Sequence, residues 1–79
     1  MYMYVGREYI KKLNTWNTGG ATISTFSTLL TAKDACDKDT NCFLVYDQDC
    51  DGDQYKTEAR GTLVTSTTGS CVWVKPGTQ

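Results

Sequence analysis

The sequence predicts an α+β domain: a small antiparallel sheet and one short helix, stabilised by disulfides, with an N-terminal arm or strand ahead of them. Three observations carry this. The chain has 79 residues, of which 39% are hydrophobic, so its core is too small to hold a fold comfortably without cross-links. It contains four cysteines, Cys36, Cys42, Cys50 and Cys71, an even number in a short chain. Its apolar residues fall in short β-branched and aromatic runs, with one helix-like stretch among them.

The elements follow in order. "MYMYVGREYI" places Met1, Met3 and Val5 on one parity and Tyr2 and Tyr4 on the other, which reads as an extended strand or arm, with a helical continuation through "EYIKKL" as the alternative. "NTWNTGG" is turn chemistry, with Gly19-Gly20 as a hinge. "ATISTF" is a short strand. "TAKDACDKD" is a helix, with Thr31 as N-cap, Asp34 completing a capping-box-like pair, and an end near Lys38–Asp39. "CFLVYD" is the strongest strand, apolar on both parities and therefore central and covered on both faces. "GTLVT" and "CVWVKP" are further strands, with "STTGS" a hairpin turn between them and Pro76 ending the last. The organisation is an arm over residues 1–18 and a domain over 19–79.

The net charge of −1 conceals a segregation. Residues 1–33 carry Arg7, Lys11, Lys12 and Lys33 against Glu8, whereas residues 34–58 carry eight acids against Lys38 and Lys56. The acidic middle argues against nucleic acid, which requires clustered basic residues. Neighbouring copies can attract each other through such ends; a solvated surface or an intramolecular balance is the plainer account. No run is long and apolar enough to span a membrane. The opening residues lack the apolar core of a secretory signal, so an extracellular or cell-surface location rests on the cysteines. Zinc is disfavoured, because the chain has no histidine and no C-x2-C pair. Thirteen threonines and four serines, dense at 22–31 and 62–70, suit exposed strand faces and are also acceptors for O-linked glycan. No N-x-[ST] sequon occurs.

"DQDCDGDQYKTE", residues 47–58, matches the EF-hand loop pattern, with Asp47, Asp49, Asp51 and Glu58 at ligand positions and Gly52 at the turn. The EF-hand fold fails on its flanks. "NCFLVY" forms helix poorly and strand well, "ARGTLVTST" follows with an early glycine, and Cys50 lies inside the loop. The crowded acids remain a candidate calcium site in a strand–loop–strand setting; the alternative is a solvated loop turning at Asp51-Gly52.

"TAKDACDKDTNCFLVYDQDCDGDQYKT…GSCVWVKP" resembles the PAN/apple-like domain over roughly residues 22–76. The matching positions are Ala35-Cys36 on the helix, Cys42 opening the central strand, Phe43 and Tyr46 along it, then Cys50 and Cys71. The chain departs from the larger apple pattern, which usually has a second helix cysteine and a terminal cysteine pair, so no ligand contact carries over. The resemblance implies a sheet curled around the helix and the pairing Cys36–Cys42 and Cys50–Cys71. It also implies a noncatalytic extracellular module that binds proteins or carbohydrates.

Catalysis has little to stand on, since the commonest general base is missing and so small a chain has no room for a deep cleft. The expectation is a noncatalytic extracellular structural module that self-assembles, as filament or oligomer, through an arm bearing Met1, Tyr2, Met3, Tyr4, Val5, Arg7, Lys11 and Lys12. No cofactor is expected, calcium excepted. The alternative is a carbohydrate- or protein-binding adhesion module, in which tyrosine and tryptophan stack on sugars or anchor a protein; for Trp16, Tyr46 and Trp73 a core role competes. A calcium-binding loop protein is the third reading.

Overall fold

A computed structural model describes residues 8–76. Seven strands and one helix follow in the order β1 (Ile10–Leu13), β2 (Thr15–Thr18), β3 (Thr22–Phe26), α1 (Leu29–Lys38), β4 (Leu44–Asp47), β5 (Tyr55–Glu58), β6 (Thr62–Thr65) and β7 (Cys71–Val74). Five strands form one sheet in the order β1-β7-β4-β5-β3, and β2 pairs with β6 in a separate ribbon. Every pairing is antiparallel. The domain is therefore broadly α+β, dominated by sheet.

β4 is central, as its two-sided apolar pattern requires. It lies between β7 and β5, and both Leu44 and Val45 are fully buried although they point to opposite faces. On one face Val45, Trp73 and Cys71 pack with Ala32, Cys36 and Cys42, so the helix covers this side. On the other, Leu44, Val72, Val74 and Phe43 form a second cluster that Tyr46 and Leu63 of the ribbon help to close. Two small cores thus sandwich one sheet. Disulfides Cys36–Cys42 and Cys50–Cys71 reinforce the helix face. The first fastens α1 to the segment entering β4. The second fastens the β4–β5 loop to the start of β7.

Four local expectations are corrected. The helix begins three residues earlier than its predicted cap: Thr28 is the N-cap and accepts from the Thr31 amide at 3.2 Å. Leu29, Leu30 and Thr31 supply most of an extra turn. "STTGS" is not a hairpin turn, because β6 pairs with β2 while β7 pairs with β1 and β4, so residues 66–70 cross from the ribbon to the sheet. "NTWNT" is not all turn: Asn14 turns with φ 52, and Thr15–Thr18 then form β2. "IKKL" is strand rather than helix, since Ile10 through Leu13 pair residue by residue with Val74 through Cys71.

Glycine is required where the ribbon meets the sheet. A methyl at Gly61 would meet the Gly20 nitrogen, the Thr18 carbonyl and the Asn17 side chain, and one at Gly20 would run into Asn17 and the Ala59 carbonyl. The backbones of the 19–21 and 59–61 turns approach this closely because neither side carries a side chain there.

Candidate functional site

The acids of the 47–53 loop are used locally. Asp47 is buried at the end of β4, and its carboxylate accepts from the Cys50 amide at 3.0 Å and the Gly52 amide at 2.9 Å. Asp51 accepts from the Asp53 amide at 3.0 Å. These are the side-chain turns that aspartate favours in loops. Cys50 takes a positive φ of 56 within the same turn. Asp49, Asp51 and Asp53 face solvent.

Glu58, the fourth predicted ligand, is not brought to the loop. It stands opposite Leu44 in the register of β4 and β5, three residues back along β4 from Asp47, about 10 Å at strand spacing. There it is buried and accepts from the Asn17 Nδ2 at 3.3 Å, while the same Nδ2 also donates to the Ala59 carbonyl at 2.9 Å. Burial pushes the Glu58 carboxyl up from the usual carboxylate range, only partly offset by Asn17, Lys56 and Thr22. Among the described residues no group of three or more histidine, cysteine, aspartate or glutamate side chains is placed to hold a metal ion.

Of the predicted arm, Met1, Tyr2, Met3, Tyr4, Val5 and Arg7 lie outside the described residues. Lys11 and Lys12 sit on β1, at one edge of the five-stranded sheet. Residues 10–18 of the arm's range form β1 and β2 and pair within the chain. Lys11 Nζ stands 5.3 Å from the centroid of the Trp73 ring, a cation–π contact that also shields the edge of the helix-side core. Tyr9, just before β1, donates its hydroxyl to Asp37 Oδ1 at 2.7 Å, with the Lys33 carbonyl 3.1 Å from the same oxygen. Burial first, then this hydrogen bond and the charges of Asp37 and Asp34, push its phenol well above the usual range, so it stays a neutral donor. The chain thereby enters the sheet across the back of α1.

The two edges of the main sheet differ. β1 carries Lys11 and Lys12 between Ile10 and the 64% exposed Leu13; charged residues of this type discourage strand addition. β3, at the opposite edge, is Thr22-Ile23-Ser24-Thr25-Phe26, with no charge, all but Phe26 exposed, and Ile23 38% exposed. It pairs with β5 on one side only. A shallow depression lined by Thr25, Phe26, Ser27, Asp53 and Gln54 lies at its end. Sequence reasoning marked β3 as a strand but did not single out its edge, because edge position depends on pairings made elsewhere in the chain. Its uncharged, threonine-rich composition was the available signal.

Two structural disulfides accord with an oxidising compartment, and among the described residues no helix is long and apolar enough to cross a membrane. No protein-family model, no curated protein and no solved structure matches the chain.

Proposed function

We propose that this chain is a noncatalytic extracellular structural module of PAN/apple-like type that assembles with copies of itself, the N-terminal residues 1–7 of one copy adding to the β3 edge of the next. The observation that carries the reading is that edge: the longest strand of the sheet, uncharged, and unpaired on its outer side among the described residues. An open edge of this kind is a template for a further strand, with backbone hydrogen bonds supplying affinity and alternate side chains specificity. Seven extended residues reach about 23 Å and β3 spans about 17 Å, so the segment is long enough for full pairing. Its Met, Tyr and Val side chains supply the apolar surface that Ile23 and the neighbouring depression would cover. Arg7, at the basic end of the segment, suits the acids of the 49–53 loop beside that depression.

The test compares three proteins by sedimentation and negative-stain imaging: the full chain, the chain lacking residues 1–7, and Ile23→Lys. The full chain is expected to form oligomers or filaments. Both variants are expected to be monomers that retain the disulfides and the melting temperature of the dissociated full chain. A full chain that stays monomeric at high concentration overturns the proposal, as does a truncated chain that assembles equally well. Unfolding of the truncated chain would assign residues 1–7 to their own sheet, with the same effect.

A further inference from the structure

A second surface, to which no residue of β3 contributes, has the make-up of a ligand groove. Trp16 on β2 alternates with Asn17, whose side chain is held against Glu58 and Ala59, so the indole is turned away from that buried contact. It is 39% exposed, a large fraction for the most costly apolar side chain in so small a chain. Together with Tyr46 of β4 it flanks a groove of about 260 Å³, whose rim is Gln48, Ser66, Thr67 and Thr68. Tyr46 is half-buried and packs against the second core cluster. The phenol ring is therefore backed by the packing of that cluster. Ser70 is fully buried and donates to the Thr15 carbonyl at 2.7 Å.

The rim is fixed. Thr68 Oγ1 donates to the Gln48 carbonyl at 3.3 Å, joining the 66–70 crossover to the loop after β4. The Thr68 amide donates to Ser66 Oγ at 3.1 Å, and the two hydroxyls lie 2.9 Å apart. Two aromatic rings thus flank a short row of hydroxyls and one primary amide. None of the six lining residues is charged, although charged residues make up 22% of the chain.

We infer that this groove binds a neutral pyranose residue of a glycan, one sugar face packing on Trp16 and its hydroxyl edge meeting Gln48, Ser66 and Thr67. The chemistry selects this class. A sugar ring presents an apolar face of C–H groups and a polar perimeter of donors and acceptors, matching an aromatic wall opposite a hydroxyl and amide rim. An anionic or cationic ligand would lose its hydration and meet no opposite charge. The volume lies just below the range of drug-sized pockets, which suits one sugar unit rather than a larger ligand. A protein partner is the outcome to be distinguished, and a groove so narrow leaves it little to bury.

The experiment titrates maltotriose, cellotriose and chitotriose, with glucuronic acid as the charged control, into the intact chain and follows the Trp16 indole N–H by NMR. Saturable shifts with at least one neutral trisaccharide, and none with glucuronic acid, are expected. Trp16→Ala should weaken binding about tenfold or more, the size of losing one stacking ring, and Trp16→Tyr should retain most of it. Thr67→Asp, at an exposed rim position, should abolish binding with the melting temperature unchanged. The absence of saturable shifts with all three sugars overturns the inference; so does binding unaffected by both Trp16→Ala and Thr67→Asp. None of the six lining residues belongs to β3, so these variants test sugar binding separately from assembly at that edge.

Discussion

Glu58 and Asn17 show how much of this fold turns on single polar groups. The Glu58 carboxyl is buried beside Leu44 and held by one amide from a strand 41 residues distant. Its pKa is raised in the folded chain above the ordinary 4.5, so the folded state binds the proton more tightly than the unfolded chain does. The stabilisation from the protonated form is fully present below that ordinary value and is lost as pH rises through the raised one. Glu58→Gln removes the titration while keeping the shape and the acceptor for Asn17. It should therefore melt higher than the native chain at neutral pH and equal it in acid, as followed by circular dichroism across the pH range; a difference independent of pH would count against this account. The spacing of the acids was legible in the sequence, but their use was not. Asp47 looks like a metal ligand in a string of letters, whereas its two backbone donors, Cys50 and Gly52, come from the turn it stabilises. No pattern joins Asn17 to Glu58, because their contact is made only when the ribbon docks on the sheet.

At the scale of elements, long apolar runs announce themselves and short polar ones do not. "CFLVYD" and "CVWVKP" became β4 and β7, the two most buried strands. "TWNT" and "YKTE" became β2 and β5, yet each is four residues of mostly polar character beside turn-forming neighbours. What makes them strands is partners far along the chain, such as Thr65 for Thr15. The helix was found with its start misplaced, since Thr28 and Thr31 both qualify as caps and only the docking of Leu29 against the core distinguishes them. The cross-links differ in reach. Cys50–Cys71 closes a separation of 21 residues and Cys36–Cys42 one of 6, so the former restricts the unfolded chain more. Replacing Cys50 and Cys71 together by serine should cost about 3 kcal/mol in the loop-entropy account, read from urea unfolding. A loss well under half of that would mean the 48–54 loop keeps its conformation without the bond.

For the whole molecule, the described part of the N-terminal region is used by the fold. β1 covers one side of β7, which is buried along its whole length, and brings Lys11 over Trp73. Removing residues 1–13 should therefore lower the melting temperature and expose a hydrophobic edge prone to aggregation, whereas removing residues 1–7 should leave stability unchanged. Calorimetry of the two truncations measures the contrast directly; equal melting temperatures would show that β1 contributes nothing to stability. The expected arm over residues 1–18 did not anticipate that Ile10 through Leu13 belong to the sheet, because those residues look no more strand-like than the ones before them until β7 is there to receive them.

The strand order has a consequence in parity and polarity. Five antiparallel strands are an odd number, so β1 and β3 at the two margins of the sheet run in the same sense. Copies stacked by translation would bring these margins together as a parallel junction, with the slanted and slightly weaker bonding of that arrangement. One additional strand between them restores the alternation, and it has to pair with β1 in spite of the Lys11 and Lys12 that oppose addition at that margin. A repeat of six strands, each rotated by roughly 20–25° from the last, would then turn each copy by about 120–150° relative to its neighbour. Such a polymer would be polar, with unlike ends, and would coil with about two and a half to three copies per revolution.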